Sequence, residues 1–212
     1  MAGMRGTGWN TLVGEGIFVP GHRVLTLAAC LAGDYSATKH SGALSDRRAF
    51  VAFARAFAYR PGARCGGSGA RTCARRGAQA RHQLHPLRAP ERFAGRAASD
   101  ADAALKIQGA WLYAERAAED IERHSEADRG MDYLARARIR GECGFIGKLV
   151  REAISQIVTI SGAGSFAETN AMQRLWHDVN VAARHPHLSL ATNLELYGHA
   201  LLGLPGNIDP GV

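Results

Sequence analysis

Large apolar residues recur at helical spacing over the second half of the chain. Ile107, Trp111, Ala114, Ala118 and Ile121 step by 4, 3, 4 and 3 residues, the spacing of one face of an α-helix. Ser99, followed three residues later by Asp102, gives a capping-box-like start to this helix. Glu115, Arg116, Glu119, Asp120, Glu122 and Arg123 are expected on its outer face. Gly130 ends the connection and Asp132 can cap a second helix, predicted from about 132 to 160. There Ile139, Cys143, Ile146, Val150, Ala153, Ile157 and Ile160 repeat at 4 and 3, and Leu149, Ile154 and Val158 widen the stripe. Gly141, Gly144 and Gly147 recur at every third position of the same helix. Each costs about 1 kcal/mol against alanine in a helix interior, so close approach of a neighbouring helix is expected there.

Gly162 and Gly164 follow, both able to take the positive φ that closes a helix. Asn170 is a good N-cap. Met172, Leu175, Trp176, Val179 and Ala183 then form one apolar stripe, leaving Arg174, His177, Asp178 and Arg184 on the remaining surface. The helix must stop at His185-Pro186-His187, because the residue before proline is pushed out of the helical region. A last short helix is predicted around Leu194. Residues 99–212 therefore read as antiparallel helices forming a small mainly-α bundle.

The first half speaks differently. Over residues 4–25 the short runs Leu12-Val13 and Ile17-Phe18-Val19 are punctuated by Gly14, Gly16 and Pro20, a strand-and-turn composition. Residues 27–45 show no clear period. Ala49 to Tyr59 has Phe50, Phe53, Ala54 and Phe57 on one helical face, but beyond Pro61 Arg, Ala and Gly dominate. A stretch so poor in large apolar groups cannot offset its ordering entropy, so an irregular or disordered segment is expected. Two compensating frame slips in GC-rich coding DNA would also produce such a patch. The predicted organisation is 1–45 as a β remnant and linker, 46–98 as the irregular basic segment, and 99–212 as the helical domain.

Charge changes the picture little. The net charge is +7, yet residues 46–99 hold twelve arginines against two acids, so the rest of the chain is slightly acidic. With no aromatic between Tyr59 and Phe93 to stack on bases, that segment does not read as a nucleic-acid arm. Gly66-Gly67-Ser68-Gly69 lacks the Gly-Lys-Ser/Thr of a phosphate loop. No run of about 18 apolar residues suggests a membrane span, and no export signal is evident. Cys30, Cys65, Cys73 and Cys143 show no zinc-type pairing and read as reduced thiols of a cytoplasmic protein.

The stretch from Ser161 to Gly203 resembles the C-terminal end of the acyl-CoA dehydrogenase-like flavoproteins. It looks closest to the flavin-dependent monooxygenase branch, the oxygenase components of two-component hydroxylases. Arg174-Leu175-Trp176-His177-Asp178 matches that family's "R-x-W-R-D" helix, with His177 where arginine is usual. His185 and Tyr197-Gly198-His199-Ala200-Leu201-Leu202-Gly203 match the rest. Near the N-terminus, Gly6-Thr7-Gly8, Phe18-Val19-Pro20 and Arg23 resemble the way these proteins leave their middle β-domain, with Trp9 where serine is usual. The family's chains are longer, so by this resemblance the sequence starts near the end of that β-domain.

The resemblance implies a C-terminal antiparallel bundle of the acyl-CoA dehydrogenase type. It also implies hydroxylation of a small aromatic or heteroaromatic substrate with O2 and reduced FMN or FAD. By the same likeness His185 is the catalytic candidate, facing flavin and substrate, where an imidazole that titrates near neutrality suits proton transfer. Arg174, His177, Gly162 and Gly164 are the cofactor-binding candidates, the glycine turn approaching a neighbouring subunit's flavin. A separate flavin reductase and a homo-oligomer, the family tetramer, are the implied partners, without nucleic acid or membrane. No metal site is expected.

Other readings of the same residues stay open. His185 could be a helix-end histidine held by backbone carbonyls and the helix dipole. Arg174 could simply pair with Asp178, and the glycine turn could be an ordinary helix C-cap. The alternative chemistry is acyl-CoA dehydrogenase-type oxidation of a CH–CH bond, which needs a carboxylate base that the matched residues do not supply. An inactive truncated product, or a helical interaction module without activity, is the remaining alternative.

Overall fold

The computed structural model describes residues 3, 11, 13–24, 26, 94–127 and 131–206. Among the described residues four α-helices follow in order: α1 (Ala94–Glu126), α2 (Tyr133–Ser161), α3 (Ala171–Ala182) and α4 (Leu190–Leu201). Short 3-10 turns occupy Ala163–Phe166, between α2 and α3, and Pro186–Leu188, between α3 and α4. Among the described residues there is no strand. Residues 13–24 hold bends and one 3-10 turn, Gly21–Arg23, with Val13, Ile17, Phe18 and Val19 exposed. The strand-and-turn composition is therefore not built into strands there. The expectations for residues 27–93, for Gly130 and for Cys30, Cys65 and Cys73 lie outside the described residues.

Helix α2 is the hub, packing against all three other helices. Its C-terminal half supplies Ala153, Ile154, Ile157 and Val158 to a core shared with Ala103 of α1 and Met172 of α3. Leu175, Trp176 and Val179 of α3 pack on that core, as its stripe predicted. The N-terminal half of α2 gives Ile139 and Cys143 to a second core with Ala117, Ile121 and Met131. Tyr113 of α1 meets Phe145 of α2 edge-on, with centroids 5.6 Å apart; Lys106 reaches Glu152 while Asp120 meets Arg138, so the two long helices run antiparallel. Burying each large aliphatic side chain in these cores stabilises the fold by about 1.5–3 kcal/mol.

Helix ends follow the predicted chemistry closely. Asp132 accepts a hydrogen bond from the Ala135 backbone N–H at 2.7 Å, and Asn170 accepts one from Met172 at 2.9 Å. Gly162 closes α2 with φ 75°, and its N–H donates to the Val158 and Thr159 carbonyls. Gly164 departs from expectation: it sits inside the 3-10 turn and is not among the positive-φ glycines. One glycine is enough to reverse the chain, and the 3-10 turn then runs at ordinary φ.

Helix α1 differs from its predicted form in three ways. It starts at Ala94, so Ser99 lies within the helix and the capping box is not used. The Ser99 carbonyl instead accepts a hydrogen bond from Gln156 Nε2 of α2, and Asp102 pairs with Lys106. Residues 94–98, expected to be irregular, are helical because alanine and arginine favour that state. The seam against α2 runs along Ala103, Ala110 and Ala117, all 2% exposed, while Trp111 and Ala114 are half-buried. Asp120, expected on the outer face, is buried and takes Arg138 of α2 at 2.5 Å and Arg123 at 3.1 Å. Glu142 of α2 is buried between Arg116 and Arg138. Charges crossing the hairpin thus fix the register of α1 on α2.

Candidate functional site

The predicted site residues lie along α3 and at its two ends. At the N-terminal end, the Gly162–Phe166 turn is held from inside by Ser165. Its buried hydroxyl donates to the Gly162 carbonyl at 2.7 Å, and Asn170 Nδ2 donates to the Gly164 carbonyl at 3.1 Å. Gly162 and Gly164 are exposed, and a Cβ on either would meet nothing within 4 Å. The turn is open on its outer side, with room for another surface to approach its backbone. Arg174 is exposed on the first half of α3. His177 is half-buried and packs edge-on against Trp176 at 5.2 Å, and Trp176 does the same with Phe166 at 5.7 Å. The His177 carbonyl is covered by buried Gly3, where an added Cβ would lie 2.5 Å away.

At the other end, α3 stops at Ala182 and His185 takes φ −60°, ψ 141°, the extended form imposed by Pro186. His185 then caps the following turn: its Nδ1 accepts the His187 backbone N–H at 3.2 Å. It serves as a cap at the start of that turn. A backbone N–H can only donate, so Nδ1 must be the bare nitrogen of the neutral ring and Nε2 carries the proton. The two histidine rings lie 5.2 Å apart at 34°. Among the described residues no group of three metal-ligating side chains is found.

Two residues that periodicity did not single out hold this corner. Asn193 of α4 is completely buried, and its Nδ2 donates to the His187 carbonyl at 2.9 Å. Its Oδ1 accepts from Arg140 Nε of α2 at 2.7 Å, and Arg140 is itself 3% exposed. Their signal in the sequence was indirect. Asn193 shares a 3- and 4-residue spacing with Leu196 and Ala200, so an amide sat on the apolar face of α4 and needed partners.

The two ends are not brought together. Helix α3 between them is twelve residues long, about 18 Å at 1.5 Å per residue, and the turn reaches back along it to set Phe166 on Trp176.

Comparison with known proteins places this architecture. Residues 91–190 match the family described as acyl-CoA dehydrogenase, C-terminal domain. A pigment production hydroxylase from Rhodococcus sp. is 28% identical over 210 residues, which are 97% of this chain and 52% of that protein. XiaF from Streptomyces sp., solved in complex with FADH2 and glycerol, superposes with a TM-score of 0.81 at 30% identity, over 99% of this chain and 52% of that one. The 3-HSA hydroxylase from Rhodococcus sp. RHA1 gives a TM-score of 0.83 at 23% identity, over 100% of this chain and 54% of that one. The HsaA monooxygenase from M. tuberculosis gives 0.82 at 24%, with the same coverage. These last two identities speak for the fold alone. The chain spans about half the length of the relatives it matches. Over residues 91–190 the chain is similar to the acyl-CoA dehydrogenase C-terminal domain family, the one that its Arg174–Asp178 helix, His185 corner and Tyr197–Gly203 run resemble.

Proposed function

We propose that this chain supplies the His185-bearing helical part of a flavin-dependent monooxygenase that hydroxylates an aromatic or heteroaromatic substrate. Reduced FMN or FAD, delivered by a separate flavin reductase, would supply the electrons that activate O2. The observation that carries the reading is the His185 cap. With Nδ1 engaged by the His187 N–H, the neutral ring carries its proton on Nε2. It is therefore a hydrogen-bond donor, suited to steady an oxygen that gains negative charge, such as a phenolate, and to hand a proton to an oxygen leaving group. It is not set up to take a proton from a phenol, since that would need the other tautomer.

The residues present fit a flavin in kind. The open backbone at Gly162–Gly164 and the exposed Arg174 guanidinium suit an anionic or carbonyl edge. His177, braced on Trp176, adds a further polar contact. The Gly162–Gly164 turn and the His185 corner lie on opposite sides of the twelve-residue α3 in sequence, and they would serve two different flavins in a homo-oligomer. The exposed Leu194, Leu201 and Leu202 of the last helix and its end offer apolar surface for such contacts.

Anaerobic titration of reduced FMN and reduced FAD into the chain, followed by fluorescence, tests the reading. Binding is expected for the chain and for His185→Ala alike. With a flavin reductase and phenolic substrates, His185→Ala should form less hydroxylated product per O2 consumed. Absence of flavin binding would favour a helical interaction module, and unchanged coupling in His185→Ala would remove the histidine's role.

A further inference from the structure

Hydrogen bonds from α2 and α4 converge on the His187 main chain, and we infer that Arg140 and Asn193 are positioning residues that hold it where its N–H engages His185 Nδ1. The inference rests on the proposed role of His185 for its importance, but not for its test. Arg140 Nε–H donates to Asn193 Oδ1 at 2.7 Å, and Asn193 Nδ2–H donates to the His187 carbonyl at 2.9 Å. The His187 N–H in turn donates to His185 Nδ1 at 3.2 Å. His187 is thus gripped from both of its peptide groups: its carbonyl by the buried amide, its N–H by the His185 ring.

Each link has only one workable polarity. Arginine has no acceptor, so Asn193 must turn its oxygen toward Arg140 and its NH2 toward the corner. A backbone carbonyl can only accept, which agrees with that orientation. The last link then forces Nδ1 of His185 to be bare. The bare Nδ1 follows from the His187 N–H alone; Arg140, whose charge is permanent, and Asn193 act by holding the His187 main chain where that N–H meets the ring. Asn193 cannot swing aside: it is 0% exposed, and Gly144 of α2 faces it so closely that a Cβ there would be 3.0 Å from Nδ2. The same close approach brings Leu190 against Gly144 and Tyr197 against Gly141. The corner therefore belongs to the rigid α2–α4 contact, and not to the loop in which its residues lie.

The test uses the 212-residue chain without flavin, with uniformly ¹⁵N-labelled protein. Wild type should show a bare Nδ1 and a protonated Nε2 for neutral His185, and a protected His187 amide. Asn193→Asp keeps the side-chain size and the acceptor for Arg140 but removes the donor to His187. It should speed exchange of the His187 amide about tenfold and move the His185 ring ¹⁵N shifts toward those of the same histidine in a short peptide. Arg140→Lys should move both in the same direction, and it replaces Asn193→Asp if that variant does not fold. Leu196→Ala, a truncation on the same helix at a 0% exposed position, should lower global stability while leaving the His185 ring signature unchanged. If the ring signature and amide exchange stay at wild-type values in the corner variants, the inference is overturned. It is equally overturned if Leu196→Ala moves the ring shifts as much as they do. A wild-type His185 protonated on Nδ1 would also overturn it. Failure of hydroxylation to depend on His185 would sink the functional reading and leave these measurements standing.

Discussion

One substitution made at two places separates packing from propensity in this bundle. Gly109 of α1 and Gly144 of α2 both sit inside long helices, and replacing either with alanine should gain about 1 kcal/mol of helix propensity. A Cβ at Gly109 would lie 3.8 Å from Leu149 Cδ1, an ordinary van der Waals contact with a movable methyl. Gly109→Ala is therefore expected to stabilise by about 0.5–1 kcal/mol. A Cβ at Gly144 would lie 3.0 Å from Asn193 Nδ2, 3.1 Å from Asn193 Cβ and 3.2 Å from the Leu190 Cα. Those atoms are backbone, or a side chain bonded at both ends, so relief requires α4 to move away from α2. Overpacking of this kind costs about 1–3 kcal/mol, which outweighs the propensity gain. Gly144→Ala is expected to destabilise by about 1–2 kcal/mol net. Urea unfolding of the two variants and wild type, followed by far-ultraviolet circular dichroism, reads the difference as midpoints at equal slope. If both variants gain stability, the α2–α4 distance inferred from the glycine seam is wrong. If both lose it, propensity is not the operative term in α1.

Two further outcomes follow from the charged hairpin. Glu142→Gln leaves Arg116 and Arg138 facing a neutral amide in a buried place. Because Arg116 is half exposed and Arg138 keeps Asp120, the loss should fall below that of a fully buried pair, at about 1–2 kcal/mol in the urea midpoint; a change within ±0.3 kcal/mol, roughly experimental error, would show that both arginines are satisfied without it. The hydrogen bond from Lys106 holds the Asp102 carboxyl below its ordinary value of 3.8. A depressed folded-state value means that the bridge contributes fully above about pH 4 and fades as pH falls further. Lys106→Met should lower stability slightly at neutral pH, with the gap to wild type closing below about pH 4 so that the acid limb is flatter, and an acid limb identical to wild type would refute the pairing.

What could be read from the sequence divides along physical lines. The α2 stripe was legible because its members are large and aliphatic, and such side chains have one place to go. The caps at Asp132 and Asn170 were legible because a short polar side chain before a helix has one common use. The α1 seam was not, because Ala103, Ala110 and Ala117 carry little transfer free energy and stand among many other alanines. Trp111 dominated the pattern by size, yet the helices approach along the alanines, and the bulkier ring is left half-buried at the flank. The true start at Ala94 was hidden for a related reason: Arg and Ala without large apolar neighbours read as irregular, although both favour a helix. Asp120 and Glu142 could not be placed from one helix at a time, since their burial depends on Arg138 and Arg116 across the hairpin. In the site, proline fixed the His185 backbone in advance, but the fate of its ring depended on Asn193, 53 residues from its own partner Arg140.

That dependence explains a choice which stability alone would not favour. An apolar residue at 193 would lie well between Leu190 and Leu196, and burying an amide costs free energy unless every polar atom is matched. Here both ends of the amide are matched, but only because Gly141 and Gly144 let α4 approach closely enough for Arg140 to reach it. The glycines weaken α2, the buried amide demands partners, and the arginine loses hydration. No one of these features improves the packing of the bundle by itself. Together they hold the His187 carbonyl, and the His187 N–H in turn engages one ring nitrogen, at His185. A core built for stability alone would have filled the Gly144 seam with methyl groups and left the corner to solvent. The arrangement is what a fold requires when the direction of a single N–H matters more than a few kcal/mol of stability.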